Sequence, residues 1–343
     1  MADDVGRYRP ETGCAALASL RGDSLIATAP PATRWLLIES HTPWPRNALT
    51  TLRKSTPTPT STLGPSTPFD ASAPTVSLDL GDRGPQAGGT SELSQAVDGE
   101  LGVEVARVCR QLGIRPVVIR RFGRVDRGAS RRWGLVDCRP GQESVRWGDL
   151  PADEHALDVL AGKDRGTLSH EPVYLVCTHG RHDACCAVRG RPIAAALAGA
   201  YPDRTWECSH IGGDRFAANV VVLPHGLFYG HVPVTRAVEL AKRYDEGNVV
   251  PDLLRGSGAF APPVQAAQHF ARAAGHSVAV SNLLPHSVRQ LPNNRWQVTL
   301  TSTTGLITAE LSAHLDPINA RLTCAGTTPS QIRRFQLESL TGP

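Results

Sequence analysis

Four of the chain's eight cysteines, Cys177, Cys185, Cys186 and Cys208, crowd into one short stretch, and His179, His182 and His210 lie among or just beyond them. Thiolate and imidazole are the donors that hold zinc and iron–sulfur clusters, and two pairs of donors from two loops are what either centre requires. Cys177 closes the apolar run Glu171-Pro-Val-Tyr-Leu-Val-Cys177, and Cys186 follows nine positions later across a loop able to fold back on it. In Trp206-Glu-Cys-Ser-His210, strand alternation puts Cys208 and His210 on one face and Glu207 and Ser209 on the other. Gly212 and Gly213 can adopt positive φ and bring backbone close to a bulky inorganic centre, with Asp214 and Arg215 immediately beyond.

Blander accounts compete at each position. Buried cysteines often pack as small hydrophobes, so Cys177 or Cys208 could belong to a strand core. Cys185 and Cys186 are neighbours, about 100° apart on a helix, so only one of them is expected to be a ligand. His179 and His182 read as loop residues, and His225 and His231 as surface positions of a hairpin. A reversible disulfide from Cys177 to Cys185 or Cys186 is a further alternative, although the spacing is not Cys-x-x-Cys.

The elements that must position these residues read as α/β. A helix near Gly13 to Leu20 precedes a buried strand, Thr33 to Glu39, which ends in Ser40-His-Thr-Pro-Trp-Pro45. Leu93, Val97, Leu101, Val105, Val108 and Leu112 lie on one helix face. Strands follow at Arg115 to Arg121 and Trp133 to Asp137, and the arginine-rich loop between them (Arg120, Arg121, Arg124, Arg127, Arg131, Arg132) predicts a hairpin with a solvated tip; docking of an acidic partner is the rival account. After the strand ending at Cys177, Pro192 is expected to open a helix to Gly199. Thr205 to His210 is a strand, Asn219 to Val232 a hairpin around Pro224-His-Gly226, and Thr235 to Tyr244 a helix stopped by Gly247. Arg34 to Pro45 echoes Tyr174 to Gly180, which fits two related halves. The expected organisation is an N-terminal α/β segment (1–54), a Pro/Ser/Thr-rich disordered insertion (55–90), the rest of a first half (91–170), a site-bearing region (171–250) and a small α+β appendage (262–343).

A length of 343 residues suits about two domains, and a composition 41% hydrophobic and 20% charged supports a sizeable core. A net charge of +4, from 36 basic and 32 acidic residues, is too mild for nucleic-acid binding. The longest apolar candidate, Ile193 to Ala200, is far short of a membrane span, and the opening residues lack a basic stretch followed by an apolar one. The expectation is a cytoplasmic chain without a membrane partner, in which cysteines point to metal or redox chemistry before structural disulfides. No dinucleotide fingerprint, phosphate loop, nucleophile elbow or conspicuous carboxylate pair supports an enzyme.

The long motifs Cys177-Thr-His-Gly-Arg-His-Asp-Ala-Cys-Cys186, Trp206-Glu-Cys-Ser-His-Ile-Gly-Gly-Asp-Arg-Phe-Ala-Ala-Asn219 and Leu223-Pro-His-Gly-Leu-Phe-Tyr-Gly230 resemble the sucrase/ferredoxin-like family. The resemblance covers 172–232 most strongly. It implies a thioredoxin-like ferredoxin fold and a [2Fe–2S] cluster held by two cysteines and two histidines, serving electron transfer to a redox partner protein that the sequence does not name. Cys177 and Cys186 match the cysteine pair and His210 the first histidine, whereas Asp214 stands where the family has its second. The fourth ligand then lies between Asp214 and Cys208, of which the thiolate is the better donor for iron. Gly212, Gly213 and Arg215 are expected to line the cluster, with Arg215 and the arginine loop tuning its potential or docking the partner. A zinc site, a thiol-redox protein or a metal-free scaffold are the alternatives.

Overall fold

The computed structural model describes residues 8–54, 99–123 and 128–343. The proposed 55–90 insertion, the start of the helix expected from Leu93, and Arg124 and Arg127 lie outside them.

Strand β1 (Arg34–Glu39) carries Trp35, Leu36, Leu37 and Ile38, all buried. A strand apolar on both faces belongs in the middle of a sheet. It pairs in parallel with β2 (Arg115–Arg120) and antiparallel with β3 (Arg132–Asp137), and β4 (Ser144–Asp149) and β5 (Thr167–Ser169) extend the sheet beyond β3. The hairpin expected between β2 and β3 is therefore corrected: β1 lies between them. The parallel partnership of β1 and β2 needs a crossover, and the amphipathic helix α2 (Glu100–Gln111) supplies it after α1 (Cys14–Leu20) has begun the chain.

The same pattern recurs downstream. β6 (Val173–Cys177) is fully buried, pairs in parallel with β7 (Thr205–Cys208) and antiparallel with β8 (Val220–Leu223), and β9 (Leu227–Tyr229) and β10 (Leu254–Ser257) follow. The hairpin of β8 and β9 is as expected. The whole is one ten-stranded sheet in the order β10-β9-β8-β6-β7-β2-β1-β3-β4-β5. Among the described residues, the ladder that joins its two five-stranded groups consists of Ile119 opposite Cys208 and Arg120 opposite Glu207. Both strands meet at their C-terminal ends, so the loops leaving β1, β6 and β7 converge on the junction. Ser40 N–H bonds Ile119 O, Thr178 N–H bonds Cys208 O, and Ser209 N–H bonds Val118 O.

After α3 (His155–Leu160) in the first group, helix α4 (Ala184–Ala200) makes the crossover of the second. The structure corrects its start: Asp183 caps it, accepting from the Cys185 N–H at 2.8 Å, and Pro192 lies in its interior. A mid-helix proline removes one backbone bond, but Ile193, Ala194 and Leu197 are buried beneath the sheet and keep the helix continuous. Gly190 allows a close approach here, since a Cβ at that position would sit 2.1 Å from Cys177 O.

Helix α5 (Ala237–Asp245) covers the second group. The C-terminal region packs α6 (Pro262–Ala273) on an antiparallel sheet of β11 (Leu284–Leu291), β12 (Arg295–Ser302), β13 (Gly305–Ile318) and β14 (Ser330–Thr341). The middle strands bury their inner positions Val298, Leu300, Ile307, Ala309 and Leu311, in keeping with an α+β appendage. Outer strand β11 carries mostly exposed side chains and so has no apolar alternation. Among the described residues no helix is long and apolar enough to cross a membrane.

Candidate metal centre

Cys177 is the last residue of β6, Cys186 sits in the first turn of α4, and His210 lies two residues beyond β7. These three segments meet at the sheet junction, where the ligand atoms of Cys177, Cys186 and His210 lie within 4.8 Å of one another. A second trio shares one member: His182, His210 and Asp214 satisfy the same limit. Asp214 links the two, because the Cys186 thiol donates to its Oδ1 at 3.2 Å, His210 Nδ1 lies 2.9 Å from Oδ1, and His182 Nε2 lies 3.6 Å from Oδ2. The imidazoles of His182 and His210 stack with centroids 3.7 Å apart.

The electrostatics of the group follow from that geometry. The Cys186 hydrogen bond holds the Cys177 thiol well below its ordinary value, and His210 adds to the effect against the penalty of burial. Cys186, whose one proton lies between the Cys177 sulfur and the Asp214 carboxylate, is pushed well above its own. Burial pulls His210 down, yet Asp214 and Cys177 overcome it and raise the imidazole to about 9. Burial likewise raises Asp214, and His210 more than reverses it. His182 is lowered, by burial first and by His210 second. Cys177 is thus prepared as a thiolate, the form a soft metal binds.

His179 takes no part as a donor. Its Nε2 donates to Pro45 O at 2.7 Å and its Nδ1 accepts the His210 N–H at 3.3 Å, which uses both nitrogens of the neutral ring. It is a brace between the loops after β1 and β6. His182, read from sequence as a loop residue of the same kind, is instead drawn to His210 and Asp214. Only the fold could show this, since its separation of four from Cys186 and 28 from His210 matches no simple ligand pattern.

Strand β7 ends at Cys208, so alternation does not place His210; the chain turns away at Ser209, whose Oγ accepts from the Val118 N–H at 3.1 Å. Cys208 stands opposite Cys177 on the neighbouring strand, fully buried in the apolar core, and joins neither donor trio. Gly212 and Gly213 do have positive φ, 93° and 84°. The group that presses against Gly213 is the guanidinium of Arg255, where a Cβ would meet Nη2 at 2.4 Å. Arg255 is buried and donates to Gly212 O, Asn219 Oδ1, Thr28 O and Thr28 Oγ1. It therefore clamps the turn that carries His210 and Asp214, a role nothing in its neighbours Leu254 and Gly256 announces. Arg215 stacks on Phe216 and lies 3.4 Å from Asp23.

Of the arginines expected in the loop, the described ones, Arg120, Arg121, Arg131 and Arg132, are engaged within the fold. Arg120 pairs with Glu207 at 2.7 Å and covers Trp44; Arg121 lies over Trp206 and donates to three carbonyls, of Pro202, Asp203 and Thr205. Arg131 pairs with Asp153, and Arg132 lies over Trp147.

Adjacent Cys185 and Cys186 diverge on the first turn of α4, Cys186 toward Asp214 and Cys185 toward Cys14 and Cys324. The first centre thus offers two cysteine sulfurs, two imidazoles and a carboxylate. His210 Nδ1 is buried and lacks a well-aligned hydrogen bond. Soft sulfur with imidazole is a donor set suited to iron–sulfur or zinc, and the site fits either. The thiols are buried, whereas the two imidazoles are partly exposed and border an open depression with Arg46, Asn47, Pro116 and Ser209.

The pattern of the sucrase/ferredoxin-like family matches residues 25–256. No curated protein matches the chain. Among solved structures, a thioredoxin-like [2Fe–2S] ferredoxin from Aquifex aeolicus is similar at 20% identity with a TM-score of 0.22, covering 25% of this chain and 91% of the ferredoxin. A cysteine-to-serine variant of the thioredoxin-like [2Fe–2S] ferredoxin from that organism is similar at 18% identity with a TM-score of 0.22, covering 24% of this chain and 97% of its own.

Proposed function

The chain belongs to the sucrase/ferredoxin-like family, and from that membership and the donors gathered at the sheet junction we infer that it is an electron-transfer protein holding a [2Fe–2S] cluster. The observation that carries this reading is the convergence of Cys177, Cys186 and His210 within 4.8 Å. We read each five-stranded group, with its first strand lying between the second, in parallel, and the third, antiparallel, as a thioredoxin-like unit; the second holds the cluster. Cys177 and Cys186 provide the thiolate end. His210 begins the imidazole end, and His182 completes it in preference to Asp214 or Cys208: imidazole suits iron better than carboxylate does, and Cys208 stands outside both donor trios. Asp214 then acts behind the ligands, orienting both imidazoles from its two oxygens.

Such a cluster would supply one-electron chemistry at a potential raised by its histidines relative to an all-thiolate centre. This chain's own residues bury the sulfur end, brace the loops through His179, and present the imidazole edge at the depression beside Arg46, where a redox partner protein would dock. Iron and acid-labile sulfide, assayed with an absorption spectrum on protein purified without oxygen, test the reading. Two irons and two sulfides per chain with visible charge-transfer bands are expected. A colourless, iron-free protein that resists reconstitution overturns it.

A further inference from the structure

A second group of metal-type donors lies on the other side of the α4 N-terminus and has no part in the centre described above. Cys14 opens α1, Cys185 sits in the first turn of α4, and Cys324 lies in the connection between β13 and β14. Their sulfurs form a triangle with sides of 3.7 Å (Cys14–Cys185), 3.4 Å (Cys185–Cys324) and 3.6 Å (Cys324–Cys14). Asp183 closes the fourth corner, its Oδ2 3.6 Å from Cys14 Sγ. All four ligand atoms lie within 4.8 Å of one another.

We propose that Cys14, Cys185, Cys324 and Asp183 form a structural zinc site. Two thiolates on one tetrahedral zinc, each at about 2.3 Å, stand about 3.8 Å apart, and the three observed separations lie close to that edge length. A polynuclear iron cluster would spread its thiolates over separate irons and hold them further apart. A disulfide would need two sulfurs at about 2.05 Å, and all three thiols are free. The surroundings are those of a closed site. Cys14, Cys185 and Asp183 are buried, the Cys14 N–H points at Cys324 Sγ, and Tyr8 Oη lies 3.1 Å from Cys185 Sγ. Asp183 accepts the Cys185 N–H on Oδ1 and the Cys324 N–H on Oδ2, which fixes the carboxylate and leaves each oxygen a further lone pair.

Binding exchanges three S–H bonds for three Zn–S bonds and adds one Zn–O bond, releasing three protons to solvent with no change of oxidation state. Cys14 and Cys324 both lie outside the stretch that matches the family, residues 25–256. Asp183 and Cys185 lie inside it, so the site would join the matched region to the segments on either side, fastening α1 and the C-terminal sheet to the helix that carries Cys186.

The test is metal analysis with zinc-edge X-ray absorption on the intact wild-type chain, beside Cys324→Ser and Cys177→Ser. The expected result is one zinc per chain with about three sulfurs near 2.3 Å and one oxygen near 2.0–2.2 Å. Cys324→Ser should lose zinc and keep iron, and Cys177→Ser should lose iron and keep zinc. Absence of zinc from wild type, even after zinc sulfate is added to reduced metal-free chain, overturns the proposal. So does a shell of two sulfurs with nitrogens, which would put zinc at Cys177 and Cys186, or a Cys14–Cys324 disulfide in its place. The wild-type spectrum needs no variant to fold, and zinc with no iron would fail the electron-transfer reading alone.

Discussion

Asp214 touches Cys186, His210 and His182 at once, and its position in the sequence alone suggested a substitute ligand. On the proposed reading its carboxylate positions two imidazoles, with His182 in the ligand role. His182→Ala should lower cluster retention at least about tenfold, and Asp214→Asn should weaken it by about ten- to a hundredfold while the visible bands survive. Cys208→Ser should leave iron content and the spectrum unchanged; loss of iron from that variant would return Cys208 to the ligand set. Cys177 was legible because it ends an apolar run, and Cys186 and His210 because they stand at the ligand positions of the family's motif, not because strand alternation placed them. His182 and Arg255 were not, because their partners come from segments distant along the chain. A buried guanidinium between Leu254 and Gly256 looks like any exposed strand residue until Thr28 and Asn219 are placed around it.

At the scale of elements, the sequence reading failed where tertiary packing overruled a local signal. Pro192 marks a helix start on propensity, yet Asp183 is the stronger start because its carboxylate caps the N–H of Cys185. The arginine loop looked like a hairpin tip because β1, the strand that separates β2 from β3, lies far upstream. Helix α5 shows a local signal that does hold. Arg236 at its head binds Glu239 and Asp252, and its hydrogen bonds hold both carboxylates below the usual range. Groups with depressed folded values add stability above their unfolded pKa, about 4, and lose it as pH falls through the folded value. Arg236→Gln should therefore cost at most about 1 kcal/mol at pH 7, the range of exposed pairs, and nothing once both carboxylates are protonated. Denaturant midpoints of the two proteins, measured from pH 7 down to pH 3, should converge; a constant gap would mean that Arg236 acts through packing.

For the whole molecule, the candidate metal centre sits beside the narrow ladder that joins the two strand groups. The β2–β7 ladder has two residue pairs, and the grouped donors Cys177, Cys186 and His210 lie beside that junction. Arg120 and Glu207 are its polar fastening, at 2.7 Å, with the Glu207 side chain only 7% exposed. Removing the guanidinium strands a mostly buried carboxylate, whereas removing both charges leaves none to strand. Arg120→Leu should cost about 2–4 kcal/mol, and Arg120→Leu with Glu207→Leu should recover much of it. The loop after β7 is tied to this edge through Ser209 and Val118, so the single variant should also lose iron faster to a chelator than the double variant does. Equal costs for single and double variants in urea would show that Arg120 matters through its cover on Trp44. An unchanged iron-loss rate in a destabilised Arg120→Leu protein would show that the centre is held by the second group of strands alone.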